Sequence, residues 1–509
     1  MRSLNINPSD FFQWFPINLL INLIQFIFSP HLNPSLLREE ALPLPHWRKS
    51  QWGSGLLILF ILFSQIYAQD NRLRLKQADL LENITVDGQS MQFLRGNVIF
   101  KKGDMVMNCD WARFDQKTEQ GFLFGNVSMV EDVQNLTCDS LFVDSPKDIM
   151  IAYSNTHVWD TTYSLVADTL FYFSELDSGS ANGNATLIQD KQTIKGDRIE
   201  YFEIPESDGV SYAARGNVSI TEEGRLATCG EAIYDRENGK TTLRIKPKIL
   251  DNNQTIAGSE IFLEYDEDVL KSLFIPSEAY ATHPSTGIRQ WTEIVDGDTL
   301  TFEDSLSFTD DMTGSILRGF FTDGIMDSMR LEGMATTLYH IFEDSVYQGK
   351  NESSGDTIIM NFADNDLQKI FVNGGSRGTY TPDSTGADVD GPIHYESEDI
   401  DYDVVNEFTD LHGDAVIDYT NINLKAGFIN VAWRNNLLKA LPESERDSSY
   451  GWIRPSMVEN GEEPMVGDTM IYNLETRHGK VIQGTTKAED GYYHGQEIRN
   501  QNMDIFYID

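Results

Sequence analysis

Basic residues are scarce in this chain of 509 residues. Lys and Arg number 39 against 79 Asp and Glu, a formal net charge of −40. That balance excludes a body built to wrap nucleic acid, which needs clustered cations. The acid excess reads as a solvated, self-repelling surface. Cysteine is nearly missing: Cys109, Cys138 and Cys229 are all there is. An odd count without a CxxC pair is no disulfide framework and offers no thiolate metal site. The nine His are scattered. HExxH and EF-hand patterns are absent, so no cofactor or metal is expected. A glycan-cleaving enzyme would want paired carboxylates in a cleft. The acidic stretches Asp383–Asp390 and Glu396–Asp403 read instead as solvated loops and repeat edges. No catalytic residue is expected.

Long apolar runs are missing beyond the first seventy residues. Before that point the sequence reads as an address. Arg48 and Lys49 flank an apolar run, Leu56–Phe63, and Ala68 offers a cleavage point before Gln69. That run is short for a bilayer span, which favours a cleaved signal peptide. A second apolar stretch, Phe11–Ser29, lies upstream. Either the start site is assigned too early or an extra membrane segment precedes the signal. Residues 1–68 are therefore expected to be an N-terminal extension plus signal peptide, with the remainder exported to an oxidising compartment.

What the chain does have is apolar and aromatic residues in short runs. Hydrophobic residues make up 40%, with 28 Phe and 20 Tyr, which argues for a packed body. Thr, Val, Ile, Tyr and Phe, broken by Gly, Asn and Asp, are strand composition.

One phrase also repeats. "MNCDWARFD", "LTCDSLFVD" and "LVADTLFYF" carry Asp110, Asp139 and Asp168, and the series continues through Asp197, Gly230 and Ser259 at steps of 29, 29, 29, 33 and 29. Residues three before, two after and four after each marker are apolar, and those one after are mixed. Such period-2 alternation marks strands with one buried face. Inward parity changes across the marker, as a bulge or corner would produce. The residue before each marker is small, and all three cysteines fall in that column. They read as compact apolar filler; a Cys109–Cys138 bridge is the minor alternative. Fourteen residues before each of the first markers lies a second phrase, at Gly96, Gly125, Ser154 and Gly183, with a further copy at Gly216. Gly-Asn supplies the positive dihedrals of a tight turn, so each unit reads turn, strand, turn, strand.

The unit returns less cleanly at Asp298, Asp327, Asp356, Glu398, Gly427 and Asp468. Interruptions at 276–292, 375–395 and 438–460 read as loops on the array. This gives repeats over 69–284 and degenerate repeats over 285–509, with a soft boundary near 285. A single unit cannot bury its apolar face alone, so units stack and their inward residues form stripes. The stripes are either sealed core or an open apolar trough. Small inward residues such as Ala112, Ala185, Gly196, Ala232 and Gly258 leave room for the second.

"GNV" followed fourteen residues later by a small residue, Asp and alternating apolar positions resembles the OstA/LptA superfamily of lipopolysaccharide-transport proteins. The resemblance is clearest over 74–270. It extends to "MVGDTMIYNLETRHGKVIQGTTKAEDGYYHGQEI" (Met465–Ile498), which is similar to the periplasmic repeat preceding the barrel in LptD-like proteins. It implies an all-β fold, an elongated repeat β-jelly-roll. It also implies a periplasmic protein, associated with the outer membrane, that shelters lipid acyl chains. The inward columns would then contact lipid: Val98, Phe100, Phe114, Val127, Met129, Val143, Leu170, Tyr172, Leu187, Ile199, Tyr201, Val218, Ile220 and Tyr234. Implied partners are lipopolysaccharide or a related glycolipid, other jelly-roll modules joined by strand augmentation, and an outer-membrane barrel. No barrel's alternating strands are read within the 509 residues, a departure from the longer family members that reads as either a truncated or split LptD-like gene or a long soluble bridge. The alternative is an exported structural or adhesive β-repeat protein with a sealed core.

Overall fold

The computed structural model describes residues 73–509, except 87–88, 174–177, 190, 204–209, 223, 236–237, 252, 267–268, 296–297, 344, 364–365, 384–390, 407, 421, 433–434, 436, 443–453, 460–462, 474–475, 477, 489–490 and 503–504. The signal peptide and the upstream apolar stretch lie outside the described residues. The fold is all-β, as the alternation requires. No helix among the described residues is long and apolar enough to cross a bilayer. The strands fall into two units: 73–252 with 260–270, and 253–259 with 271–509.

In the first unit the strands are β1 Arg74–Gln77, β2 Leu80–Val86, β3 Gln89–Lys102, β4 Met105–Asp115, β5 Gln120–Glu131, β6 Gln134–Asp144, β7 Ile149–Trp159, β8 Tyr163–Phe173, β9 Ser178–Gln189, β10 Gln192–Glu203, β11 Val210–Glu222, β12 Arg225–Asp235, β13 Lys240–Arg244, β14 Lys248–Asp251 and β15 Glu260–Asp266. From β3 to β12 each strand pairs antiparallel with the next. The 29-residue period is one hairpin: β4, β6, β8 and β10 open at Met105, Gln134, Tyr163 and Gln192.

The Gly-Asn phrase is not the turn between strands. It sits in mid-strand. Arg95 pairs with Trp111 and Val98 with Cys109, so Gly96 and Asn97 bulge against the single residue Asp110. Both bulged residues have positive φ, +74° and +47°, and the same geometry recurs at Gly125–Asn126, Ser154–Asn155, Gly183–Asn184 and Gly216–Asn217. Because pairing continues on both sides, two left-handed residues bend the strand instead of reversing it. Each corner is pinned by a carboxylate. Asn97 donates to Asp79, Asn126 to Asp110 and Asn155 to Asp139, each at 2.8 Å; Asn184 donates to Asp168 at 3.3 Å and Asn217 to Asp197 at 3.0 Å. The marker aspartate is thus the partner of the next strand's corner.

Each strand therefore contributes one half to each of two facing half-sheets. Phe100, in the half of β3 after its corner, meets Phe114, in the opposite half-sheet, with ring centroids 5.6 Å apart. The parity change follows directly. In β4 Met105, Met107 and Cys109 are buried before the corner, Ala112 and Phe114 after it. Cys109, Cys138 and Cys229 are free and buried. Burial pushes their thiols up, to about 11, 12 and 12 respectively, so they behave as inert filler.

The second unit uses the same device with other residues. Ser315 accepts no Asn; its N–H and Oγ–H both donate to Gly333 O, at 3.0 and 3.1 Å, opposite the Gly333–Met334 corner. Asp356 faces Gly374–Gly375, Glu398 faces Gly413–Asp414, and Asp468 faces Gln483. Asp298 and Asp327, expected as markers, are not corners: one opens strand Asp298–Gly314, the other lies two residues into strand Ile325–Glu343. The expected loops are also corrected. Residues 279–292 belong to strand Ala279–Val295, and 375–382 to strand Asp366–Pro382. Parts of 438–460 are strand too, at Leu437–Leu441 and Ser456–Glu459.

Candidate functional site

The interior between the two half-sheets of the first unit is where the inward columns converge. Of the fourteen residues expected there, Val98, Phe100, Phe114, Val127, Met129, Val143, Leu170, Tyr172, Leu187, Ile199, Tyr201, Val218 and Ile220 are 0–8% exposed. Tyr234 is half-buried, stacked with Tyr212 at 6.4 Å.

A whole column escaped the sequence reading. Leu94, Leu123, Ala152, Ala181 and Ala214 are also buried. Each stands two residues before a corner. That fixed offset from Gly96, Gly125, Ser154, Gly183 and Gly216 was the signal available for them.

The inward columns are packed together, and a cavity of about 30 Å³ lies among them. Met129, Leu136 and Val158 line it from one half-sheet, and Leu141, Met150, Ala152, Leu170 and Tyr172 from the other. Glu131, Gln134 and Asn135 complete the lining where β5 turns into β6. Burial pushes the Glu131 carboxyl up to about 7; Asp132 and Asp104 add to the rise and Lys102 opposes it.

That shift carries a sign. A folded carboxyl holding its proton to about pH 7, against an ordinary 4.5, makes the native state bind more protons than the unfolded state in between. Stability is then full below about pH 4.5 and falls as pH rises to 7. Glu131→Gln is expected to flatten that fall by on the order of 2 kcal/mol. Urea unfolding of both proteins at pH 5 and pH 7.5 checks it; equal pH dependence would refute it.

Comparison with known families identifies this part of the chain. A model described as OstA-like protein matches residues 70–202, and one described as LptA/(LptD N-terminal domain) LPS transport protein matches 164–269. Residues 70–269 belong to the OstA/LptA superfamily. The first unit is thus an OstA/LptA-type array, and the Gly-Asn and Asp corners are its repeat. Among solved structures, the chain is similar to LptH, described as the LptA homologous periplasmic component of the conserved lipopolysaccharide transport device from Pseudomonas aeruginosa. Identity is 12%, over 21% of this chain and 79% of that one, with a TM-score of 0.19. So partial a likeness carries no weight beside the two family models. No curated protein matches the chain.

Proposed function

We propose that this chain is a periplasmic, non-enzymatic component of lipopolysaccharide transport that shelters acyl chains between the half-sheets of its first unit. The carrying observation is the run of inward apolar columns across β3–β12, inside the region matched by the transport families. Burial of an acyl chain among them is worth about 0.8 kcal/mol per CH₂. That is enough to hold a lipid out of water without any chemical step.

The packed interior must widen to do this. Met129 and Met150 wall the cavity from opposite half-sheets, and unbranched thioether side chains repack at low cost. The lipid contacts are the fourteen inward residues together with the Leu94 column. Strand augmentation at an array end would join the chain to other jelly-roll modules. An outer-membrane barrel is the acceptor that fits this role.

Depletion in the producing organism tests the transport reading. Newly made lipopolysaccharide is expected to accumulate at the inner membrane. Normal delivery to the cell surface would refute it. The second reading, a structural or adhesive repeat protein, is favoured by the small size of the cavity and predicts such normal delivery.

A further inference from the structure

The mouth of the interior at the β5–β6 hairpin is built unlike the columns behind it. Glu131 and Gln134 face each other directly across the hairpin, with Asp132 and Val133 as the turn. They continue the inward column of Met129 and Leu136, and both line the cavity. Gln134 is only 5% exposed. Its Nε2 is enclosed and donates to nothing, and Glu131 Oε2 is enclosed and accepts nothing. A buried polar atom without a partner costs about 1–3 kcal/mol, and here a donor and an acceptor are left open side by side. Along the same mouth β8 opens with Tyr163, whose OH is also enclosed and unpartnered. On the other flank Lys102 forms an ion pair with Asp148.

We propose that Glu131 and Gln134 form a recognition site for a hydroxyl group carried on an apolar chain. The hydroxyl accepts from Gln134 Nε2 and donates to Glu131 Oε2. The chain runs inward past Leu136, Leu141 and Leu170 toward Tyr172. A hydroxyl satisfies both open atoms from one oxygen. A phosphate or a fatty-acid carboxylate would bring a negative charge against Asp132 and Asp104 beside Glu131, which a neutral hydroxyl does not. The inference rests on the acyl-sheltering reading and adds the chemistry of the group at the mouth. A water is the competing occupant, since a cavity of about 30 Å³ exceeds the roughly 10–15 Å³ that one water needs.

The test uses the exported chain, residues 69–509, loaded with the neutral fluorescent reporter N-phenyl-1-naphthylamine. The competitors are 1-dodecanol and 1-methoxydodecane, which share the chain but differ in the donor. A site built around a hydroxyl rejects the analogue lacking it. The alcohol is expected to displace the reporter at about tenfold lower concentration than the ether. In the Glu131→Leu/Gln134→Leu variant that ratio should fall to about one, which cancels any difference in solubility. Glu131→Gln, which keeps an acceptor, should retain most of the preference. An unchanged ratio in the double variant means the mouth holds a water only; it overturns this inference and leaves acyl sheltering intact. Failure of both competitors and of purified lipopolysaccharide to displace the reporter overturns the acyl-sheltering reading and this inference with it.

Discussion

Leu170→Asp is expected to destabilise the first unit by more than about 4 kcal/mol, while Val166→Asp, four residues earlier on the same strand, costs less than about 1 kcal/mol. In an unbroken strand positions 166 and 170 share a face. Here the corner at Asp168 separates them: Leu170 is 6% exposed and Val166 44%. An aspartate at 170 loses the packing of a leucine and places a carboxyl among Leu141, Ala152 and Tyr172 with no partner for its charge. At 166 it meets water. Thermal unfolding followed by circular dichroism compares the two variants. Equal losses would mean that the parity change, and with it the assignment of every inward column, is wrong.

Gly183→Ala carries the second large effect, about 3 kcal/mol. Gly183 has φ +80°, and a Cβ there would lie 2.8 Å from Asp168 Cβ. Backbone strain and collision act together. Asp168→Gly removes the collision and the bond from Asn184, and alone should cost about 1 kcal/mol. The double variant should then be more stable than the sum of the two by at least about 1 kcal/mol. The chain contains a precedent. Where the marker is Gly230, the facing positive-φ residues are Ile245 and Lys246, and a Cβ on Gly230 would lie 2.7 Å from that of Ile245. At both of these corners one side stays small. Strict additivity in denaturant unfolding would show that the aspartate does not crowd the corner.

The corner also explains what could be read from the amino acids alone. Strand composition, the period and the parity change at Asp110, Asp139 and Asp168 were all legible, because each copy repeats the same packing problem. The role of Gly-Asn was misread as a chain reversal. Two consecutive left-handed residues serve either purpose locally, and only the pairing of Val98 with Cys109 beyond the bulge distinguishes them. The second unit was harder because its corners need positive φ and a compact neighbour, not one sequence. Ser315 with Gly333, and Glu398 with Gly413, meet that need without the Asp-Gly-Asn signature. Counting aspartates therefore led to Asp298 and Asp327. Glu131 and Gln134 gave no signal at all: "EDVQ" reads as an exposed polar turn, and only the facing half-sheet encloses its first and last residues.

The central claim is that lipid passes between the half-sheets, and photo-crosslinking in cells tests it most directly. A photoreactive residue replaces Tyr172, which lines the cavity, and separately Thr169, on the outer face of the same strand. Lipopolysaccharide adducts are expected at 172 and absent at 169. Adducts at both positions, or none at 172, 143 and 129 in a folded and exported protein, would contradict the account and leave a sealed structural array.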